Sequence, residues 1–475
     1  MINIDLTKSF IYRNRYWVGY SLVAIGLIIV LIFAGLNIPG GISSEEMQSV
    51  VKSNSINYLD INSLAITNLP YHMLQKLSLS IFGVSVFGIK LPSIILAFLS
   101  ALGMILILRR WFKPRIGILA TLIAITTGQF LFISQDGTPI ILYLFWAICL
   151  ILMATLVTTN SKFKNPKKIA FFIMAALSLY TPLSVYILIA VMTSMLVHPH
   201  LRYLLKQLSK TSIIVGFIFA SLLTVPLIFA AIKNPSLGLN LLGIPLKWPD
   251  LIDNLSTLAT QYFSFASPGG TTLMTPFFEL GSMLIIIIGI FNIFKTRETA
   301  KSYIIFIWMV CLVPFVILNP IHTTILLLPL IMLIASGLSL LLSHWYNLFP
   351  LNPYARIAGL IPLVILVSVL VLSGVDRYTY GYRHDPNLVP NFSKDIKLIP
   401  KDTTNIVVDN SELDFYNVIA SHSKGLKVSV TPSTDIFLAT RKAKKDYTGY
   451  GIDKIIVTAR QKDGDRFYLY KKLTD

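Results

Sequence analysis

Charged side chains are scarce in this chain, and their scarcity excludes most soluble folds. Asp, Glu, Lys and Arg make up 13% of the 475 residues, whereas 55% of the residues are apolar. The mean hydropathy is +0.71. A soluble globule cannot hide that much apolar surface in one core. The composition therefore predicts an integral membrane protein that lies in a lipid bilayer.

Cysteines and the common catalytic loops are also nearly absent. The two cysteines, Cys149 and Cys311, lie inside apolar runs, which excludes a disulfide framework and a zinc site. The C-terminal tail contains neither a Gly-rich phosphate loop nor a nucleophile elbow, and it is interpreted as accessory. The sequence therefore predicts no metal and no other cofactor.

Acidic residues are few: 22 against 40 basic ones, which gives a formal charge of +18. A nucleic-acid-binding protein would carry its basic residues as patches on a polar domain. Here they lie between apolar runs, as they do in the loops of membrane proteins. Nucleic acid is therefore excluded as a partner, and the positive charge is interpreted as a signal for membrane orientation.

About eleven apolar runs have the length of a membrane span, roughly 20 residues for a helix. The first, residues 17–36, is interpreted as a retained span, and the runs flanking Thr181-Pro182 are short enough to form one kinked helix instead of two. The remaining runs are 91–108, 116–133, 140–157, 169–180, 183–197, 212–232, 277–294, 303–318, 321–342 and 357–375. The predicted fold is mainly α, a polytopic transmembrane helical bundle of about 11 spans.

The loops between these runs differ in basic residues. Alternate loops carry 18 Lys and Arg in one set and 5 in the other, with the tail after Val375 excluded. By the positive-inside rule the richer set, which includes the N-terminus, is cytoplasmic. The prediction is a multi-pass plasma-membrane protein with a cytoplasmic N-terminus and an extracytoplasmic C-terminal domain.

The transmembrane region of residues 1–375 contains two long outer loops. The first is residues 37–90, and the second is residues 233–276, which is too apolar for a solvated linker and is interpreted as a lid. Beyond them, residues 376–391 are predicted as a linker and residues 392–475 as a small α/β domain. Its strands are predicted at 405–408, 427–430, 454–457 and 467–470, and its helix at 411–421.

Two adjacent acids, Glu45 and Glu46, follow the first apolar run by a few residues. Acids are costly near hydrocarbon and rare there without a function. One interpretation is a helix cap beginning near Ser43 or Ser44, because serine followed by acids suits a helix start. The other is a general base. Both can hold together.

Several short stretches occur in a characteristic order. They are Ser43-Ser44-Glu45-Glu46, Asn68-Leu69-Pro70-Tyr71-His72, residues 82–93 from Phe82-Gly83 to Lys90-Leu91-Pro92-Ser93, Ser134-Gln135-Asp136-Gly137-Thr138-Pro139, and Asn319-Pro320-Ile321-His322. This order resembles the membrane-embedded GT-C glycosyltransferases, in particular the branch of the protein O-mannosyltransferases and the aminoarabinose transferase of lipid A. The resemblance covers roughly residues 17–345.

The resemblance implies a bacterial-type glycosyltransferase. It would move a sugar from a polyprenyl-phosphate-linked donor to an acceptor protein, lipid or glycan on the outer face. One carboxylate suffices as base, because phosphate is already a good leaving group. The implied residues are Glu45 or Glu46 as base, Lys90 and His322 for the donor phosphate, and Asp136, Gln135, Tyr71 and His72 as possible substrate contacts.

Structural interpretations stand beside these roles. Lys90 could extend to the membrane interface, Asp136 could simply form a turn with Gly137, and His322 could be structural. A divalent ion between Glu46 and a phosphate is a further alternative. The rival functions are a lipid-linked sugar transporter or flippase, which should carry charges within its spans, and a catalytically silent relative.

Overall fold

The computed structural model describes residues 14, 21, 25–29, 41–158, 164–207, 210–263, 276–348, 353–384, 395–423, 425–458 and 465–473. The predicted first span, residues 17–36, lies largely outside the described residues. Within it residues 25–29 are helical, and Leu27 is buried in the main core.

The described part of the chain forms seventeen α-helices. They are α1 (Ser44–Asn54), α2 (Leu69–Phe82), α3 (Val86–Trp111), α4 (Pro114–Thr126), α5 (Gly128–Gln135), α6 (Ile141–Thr158), α7 (Lys164–Ser178), α8 (Val185–Val197), α9 (Pro199–Lys206), α10 (Lys210–Lys233), α11 (Pro235–Leu241), α12 (Leu251–Phe263), α13 (Leu280–Lys295), α14 (Ala300–Leu318), α15 (Leu327–Leu348), α16 (Pro353–His384) and α17 (Leu413–His422). A 3₁₀ segment, Pro320–Leu326, precedes α15. The mainly helical fold is confirmed.

Among the described residues, six helices are long and apolar enough to cross a membrane, or up to eight if each of two bent pairs is one span. The bent pairs are α4 with α5, at 63°, and α8 with α9, at 94°. The polytopic bundle is confirmed, whereas the count of about eleven is not. The runs flanking Thr181-Pro182 form separate helices, α7 and α8. Between them Leu183 has a φ of 62°, which a right-handed helix cannot contain.

Helices α13 and α15 approach each other closely because glycines lie at their contact. A Cβ on Gly289 would lie 2.0 Å from the carbonyl oxygen of Leu333 and would also meet the backbone of Gly337. The Asn292 amide donates to the backbone and hydroxyl oxygens of Ser336, both at 3.0 Å. Small residues and interhelical hydrogen bonds are the usual means of packing helices in lipid.

Both segments predicted as irregular contain helices. The lid-like loop, residues 233–276, includes α11 and α12, and its residues 264–275 lie outside the described part. Helix α16 continues through residues 376–384, where the linker was predicted to begin.

The C-terminal region forms a five-stranded sheet with the order β2-β1-β3-β5-β4. The strands are β1 (Asn405–Val407), β2 (Lys427–Ser429), β3 (Ile436–Thr440), β4 (Tyr450–Val457) and β5 (Asp465–Lys472). Strand β1 pairs in parallel with β2 and β3, and β5 pairs antiparallel with β3 and β4. Helix α17 connects β1 to β2. Strand β3 was missed because its short apolar run is buried on both faces and shows no alternation.

The sheet domain packs directly on the loop that contains α1. Ile42, Met47 and Val50 from the loop share one buried cluster with Phe415 and Ile419 from α17. We call this cluster the loop–domain interface. The C-terminal domain and the first loop therefore lie at the same end of the helix bundle.

Candidate active site

Helix α1 begins with a capping box. Ser43 is the N-cap, and its hydroxyl oxygen accepts a hydrogen bond from the Glu46 N–H at 3.1 Å. In return, Glu46 Oε2 accepts one from the Ser43 N–H at 2.8 Å. Two backbone donors at the helix start are thus satisfied reciprocally. The geometry matches the cap interpretation for Glu46, whose side chain is fully buried.

The second carboxylate oxygen of Glu46 holds two distant segments. Its Oε1 accepts a hydrogen bond from the Gly137 N–H at 2.7 Å and lies 3.5 Å from Lys90 Nζ. Lys90 is 1% exposed, and its ammonium also donates to Gln135 Oε1 at 2.6 Å. Position 137 requires glycine, because a Cβ there would lie 2.6 Å from the Ile89 side chain. Glu46 therefore joins α1, the start of α3 and the turn after α5.

Asp136 lies beside this cluster at the end of α5. Its Oδ2 accepts a hydrogen bond from the Thr138 hydroxyl at 2.7 Å. Burial, and then the charge of Glu46, raise the pKa of Asp136 to about 8, against the opposing effects of Thr138 and Lys90. Asp136 is therefore mostly protonated at neutral pH, which reduces the repulsion between two buried acids.

Tyr71 reaches the same turn through a serine. The Ser93 hydroxyl donates to the backbone oxygen of Asp136, and the Tyr71 hydroxyl bonds to Ser93 at 2.8 Å. Tyr71 is completely buried. Its contact with a substrate would therefore need a rearrangement, and in this structure it supports the turn.

Gln75, which the sequence analysis missed, connects the network. Its amide nitrogen donates to Gly137 O at 2.9 Å and Ile89 O at 3.2 Å. Its Oε1 accepts from Ser49 at 2.8 Å and Ser53 at 2.6 Å, both on α1. All of its hydrogen-bonding capacity on nitrogen and oxygen is used. The signal was available: the polar residues of α2 recur at helical spacing on its buried face.

His72 is held on the far side of Gln75. Its Nδ1 lies 2.8 Å from the Ser53 hydroxyl, and because Ser53 donates to Gln75, His72 is the donor in this pair. Burial, and then the charge of Lys52, lower the pKa of His72 to about 4. His72 is therefore neutral and structural in this geometry.

Glu45 differs from its neighbour. It is exposed, whereas Glu46 is buried. Partial burial of its carboxyl, and then the charge of Glu46, raise the pKa of Glu45. A raised pKa makes a carboxylate a better proton acceptor near neutral pH. The adjacent acids thus have different surroundings, one anchored and one accessible.

His322 lies apart from this cluster. Its Nδ1 shares a hydrogen bond with the Tyr143 hydroxyl at 2.7 Å. Two residues on, Thr324 bonds to Gln129 near the start of α5, at 3.3 Å. Gln135 lies at the other end of α5, about 9 Å away for six helical residues. None of the contacts in the described residues joins His322 to Lys90.

The structure therefore brings six of the predicted residues into one network and leaves Glu45 at its surface. The six are Glu46, Lys90, Gln135, Asp136, Tyr71 and His72. In the described residues, no group of three or more His, Cys, Asp and Glu is placed to hold a metal ion. Chemically, the arrangement offers one accessible carboxylate, Glu45, directly after which in the sequence lies a buried carboxylate paired with Lys90.

Comparisons with known proteins find similarity in part of the sequence and in the fold. The family model of dolichyl-phosphate-mannose-protein mannosyltransferases matches residues 70–229. No curated protein matches the chain in sequence.

The whole fold is similar to two solved structures of ArnT from Cupriavidus metallidurans. The structure bound to undecaprenyl phosphate has a TM-score of 0.53 at 12% identity and covers 96% of this chain and 98% of that one. The apo structure has a TM-score of 0.51 at 11% identity, with the same coverage. The resemblance to the GT-C superfamily is confirmed. Together the family match over residues 70–229 and the shared fold support this resemblance, and the apolar helices support a multi-pass membrane protein.

Proposed function

We propose that this protein transfers a sugar from a polyprenyl-phosphate-linked donor to an acceptor hydroxyl on the outer face of the membrane, with Glu45 as the base. The observation that carries the proposal is that the two adjacent acids differ in burial and in hydrogen bonding. Glu46 is fixed by the amides of Ser43 and Gly137 and by Lys90. Glu45, the next residue, stays accessible.

The chemistry needs a single displacement. Glu45 accepts the proton of the acceptor hydroxyl, whose oxygen forms the new bond to the anomeric carbon. The bond between that carbon and the phosphate oxygen breaks, and the polyprenyl phosphate leaves with the electron pair. A single base suffices because the phosphate leaves without protonation.

Lys90 supplies positive charge to this step. Its ammonium lies 3.5 Å from Oε1 of Glu46, the residue that follows the proposed base in the sequence. Because Lys90 is buried, we assign it an electrostatic effect on the departing phosphate rather than a surface contact. We assign His322 a smaller contribution to holding the donor phosphate, because its Nδ1 is already hydrogen-bonded to the Tyr143 hydroxyl.

Gln135, which is hydrogen-bonded to Lys90, is the proposed substrate contact. Its side-chain oxygen accepts from Lys90, whereas its amide nitrogen is buried and has no hydrogen-bond partner within the described residues. Buried donors are normally satisfied. Gln135 is as fully buried as Tyr71, so a donor phosphate or sugar oxygen would satisfy this nitrogen only after a rearrangement that opens the site.

The test compares Glu45→Gln with Glu298→Gln, a matched change at an exposed glutamate remote from the cluster. Both proteins are placed in nanodiscs with a radiolabelled polyprenyl-phosphate sugar and a crude envelope acceptor fraction. Loss of a general base lowers transfer by roughly 10²–10⁴-fold. We expect that loss for Glu45→Gln, a partial rate for Glu45→Asp, and the wild-type rate for Glu298→Gln.

Two results contradict the proposal. The first is full transfer by Glu45→Gln, which removes this residue as base. The second is movement of the labelled lipid across the bilayer without any transfer product, which is the behaviour expected of a flippase.

A further inference from the structure

A cavity of about 300 Å³ lies between α1 and the C-terminal domain. We call it the α1–domain cleft. Its exposed polar side chains come from both walls: Ser44, Gln48 and Lys52 from α1, and Ser411, Asp414 and Lys442 from the domain. Its other lining residues are Met47, Val51, Glu412 and Phe415. The cleft borders the loop–domain interface and exists only because the two regions pack together.

The lining has the chemistry of a saccharide site. Hydroxyl, amide, carboxylate and ammonium groups surround a floor that includes the side chains of Met47 and Phe415. Sugar rings present hydroxyl groups at their edges and C–H groups on their faces, so they need this combination. The volume lies at the lower end of the usual range for small-molecule sites, roughly 300–1,000 Å³.

Other ligands fit this cleft less well. A lipid chain would have to pass six exposed polar side chains. An extended peptide usually adds to a sheet edge, but none of the lining residues belongs to a strand. The polar rim and the short cavity thus favour one or two sugar rings.

The cleft also lies alongside the proposed base. Ser44 directly precedes Glu45, and Gln48 and Lys52 follow it by three and seven residues on the same helix. Residues at these spacings lie on one side of a helix, one turn after another. Glu45 is not itself a lining residue, but this spacing places it on the same side of α1 as Gln48 and Lys52, so a ligand in the cleft lies close to it.

We propose that the α1–domain cleft binds the saccharide part of the acceptor and presents its hydroxyl to Glu45. This inference rests on the proposed function and extends it by giving the C-terminal domain a role as one wall of the acceptor site. Lys442 is held at this wall, with its ammonium 3.4 Å from the Ser411 hydroxyl oxygen.

Binding is tested first, without donor. The full-length protein in nanodiscs is mixed with N,N′-diacetylchitobiose, maltose or a glucuronate-containing disaccharide, and saturation-transfer NMR reports contact. We expect at least one probe to bind. Its affinity should fall at least tenfold in Ser411→Trp, which fills the cleft, and in Lys442→Ala, but not in Lys454→Ala, an exposed lysine outside the cleft. Failure of all probes to bind, or unchanged binding in Ser411→Trp, overturns the proposal.

Kinetics then separate an acceptor site from a donor-sugar site. With the binding probe as acceptor, Lys442→Ala should raise the acceptor KM at least tenfold and leave kcat and the donor KM within twofold. A change in the donor KM instead overturns the assignment to the acceptor. Failure of the proposed function has a different signature: Glu45→Gln retains full transfer, or the wild type shows none, while the NMR result still decides whether the cleft binds saccharide.

Discussion

The two ends of α3 carry basic residues in opposite surroundings. In its first turns Lys90 is 1% exposed and lies 3.5 Å from Glu46 Oε1. In its last turn Arg110 is exposed to solvent. Both residues are cations at the ends of one membrane-spanning helix, yet only the first is built into a network of acids, amides and backbone donors.

This difference in burial distinguishes Lys90, which belongs to a candidate site, from Arg110, whose charge contributes to membrane orientation. A buried ion pair is costly to break, because the remaining charge stays uncompensated in a medium of low dielectric. An exposed charge is solvated and contributes little to stability. Counting basic residues by loop treats the two ends alike, whereas burial shows which cation has a specific partner.

The largest effect is expected from Lys90→Met. This change leaves the Glu46 carboxylate buried with two backbone donors and without its cation, which should cost about 3–5 kcal/mol of unfolding free energy. Denaturant unfolding of the purified protein in detergent measures it. Adding Glu46→Gln to Lys90→Met should recover part of the loss, since the unpaired charge is removed. Equal stability of Lys90→Met and wild type would show that the pair is not formed.

A smaller, pH-dependent effect is expected from Asp136→Asn. The folded pKa of about 8 lies above the ordinary value of 3.8, so the folded protein holds a proton that the unfolded chain releases. The stability from this group is fully present below pH 3.8 and is lost as pH rises through about 8. The slope approaches about 1.4 kcal/mol per pH unit.

The measurement compares unfolding free energies of wild type and Asp136→Asn between pH 7 and 8. Wild type should lose stability over this interval, whereas the variant, which cannot release a proton there, should show a flatter profile. Parallel profiles would mean that Asp136 is ionised in the folded protein at neutral pH.

The smallest effect is expected from Arg110→Gln at the other end of α3. A surface substitution away from specific contacts usually changes stability by less than about 0.5 kcal/mol. Unfolding free energy and sugar transfer should both stay at the wild-type level. A loss as large as that of Lys90→Met would erase the contrast between the two ends.

The sequence predicted the fold class and most of the tail well, because both depend on local patterns. Long apolar runs predict spanning helices, and four of the five strands of the tail overlap predicted positions. The boundaries at residues 233–276 and 376–384 were less predictable, since Pro, Gly and Tyr were interpreted as loop residues where helices form.

The candidate site was only partly predictable, because its partners are far apart in sequence. Glu46 meets Gly137 across 91 residues and Lys90 across 44. Ser43 and Glu46 could be recognised as a capping box from their spacing. The burial of Glu46 and the exposure of Glu45 could not be predicted. Adjacent helical residues point in directions about 100° apart, and the sequence does not show which of the two faces the bundle.

The loop–domain interface has a consequence for biosynthesis. Val50 on α1 belongs to the same buried cluster as Phe415 and Phe467, which lie more than 360 residues further along the chain. While the ribosome is still producing the bundle, this apolar surface has only its partners on α2 and α3, such as Leu79 and Ile89, and α1 acquires its final surroundings only after the last strand has been made. Folding of the sheet domain is thus the final assembly step. A nascent chain released before it would expose the apolar side of α1, which favours aggregation.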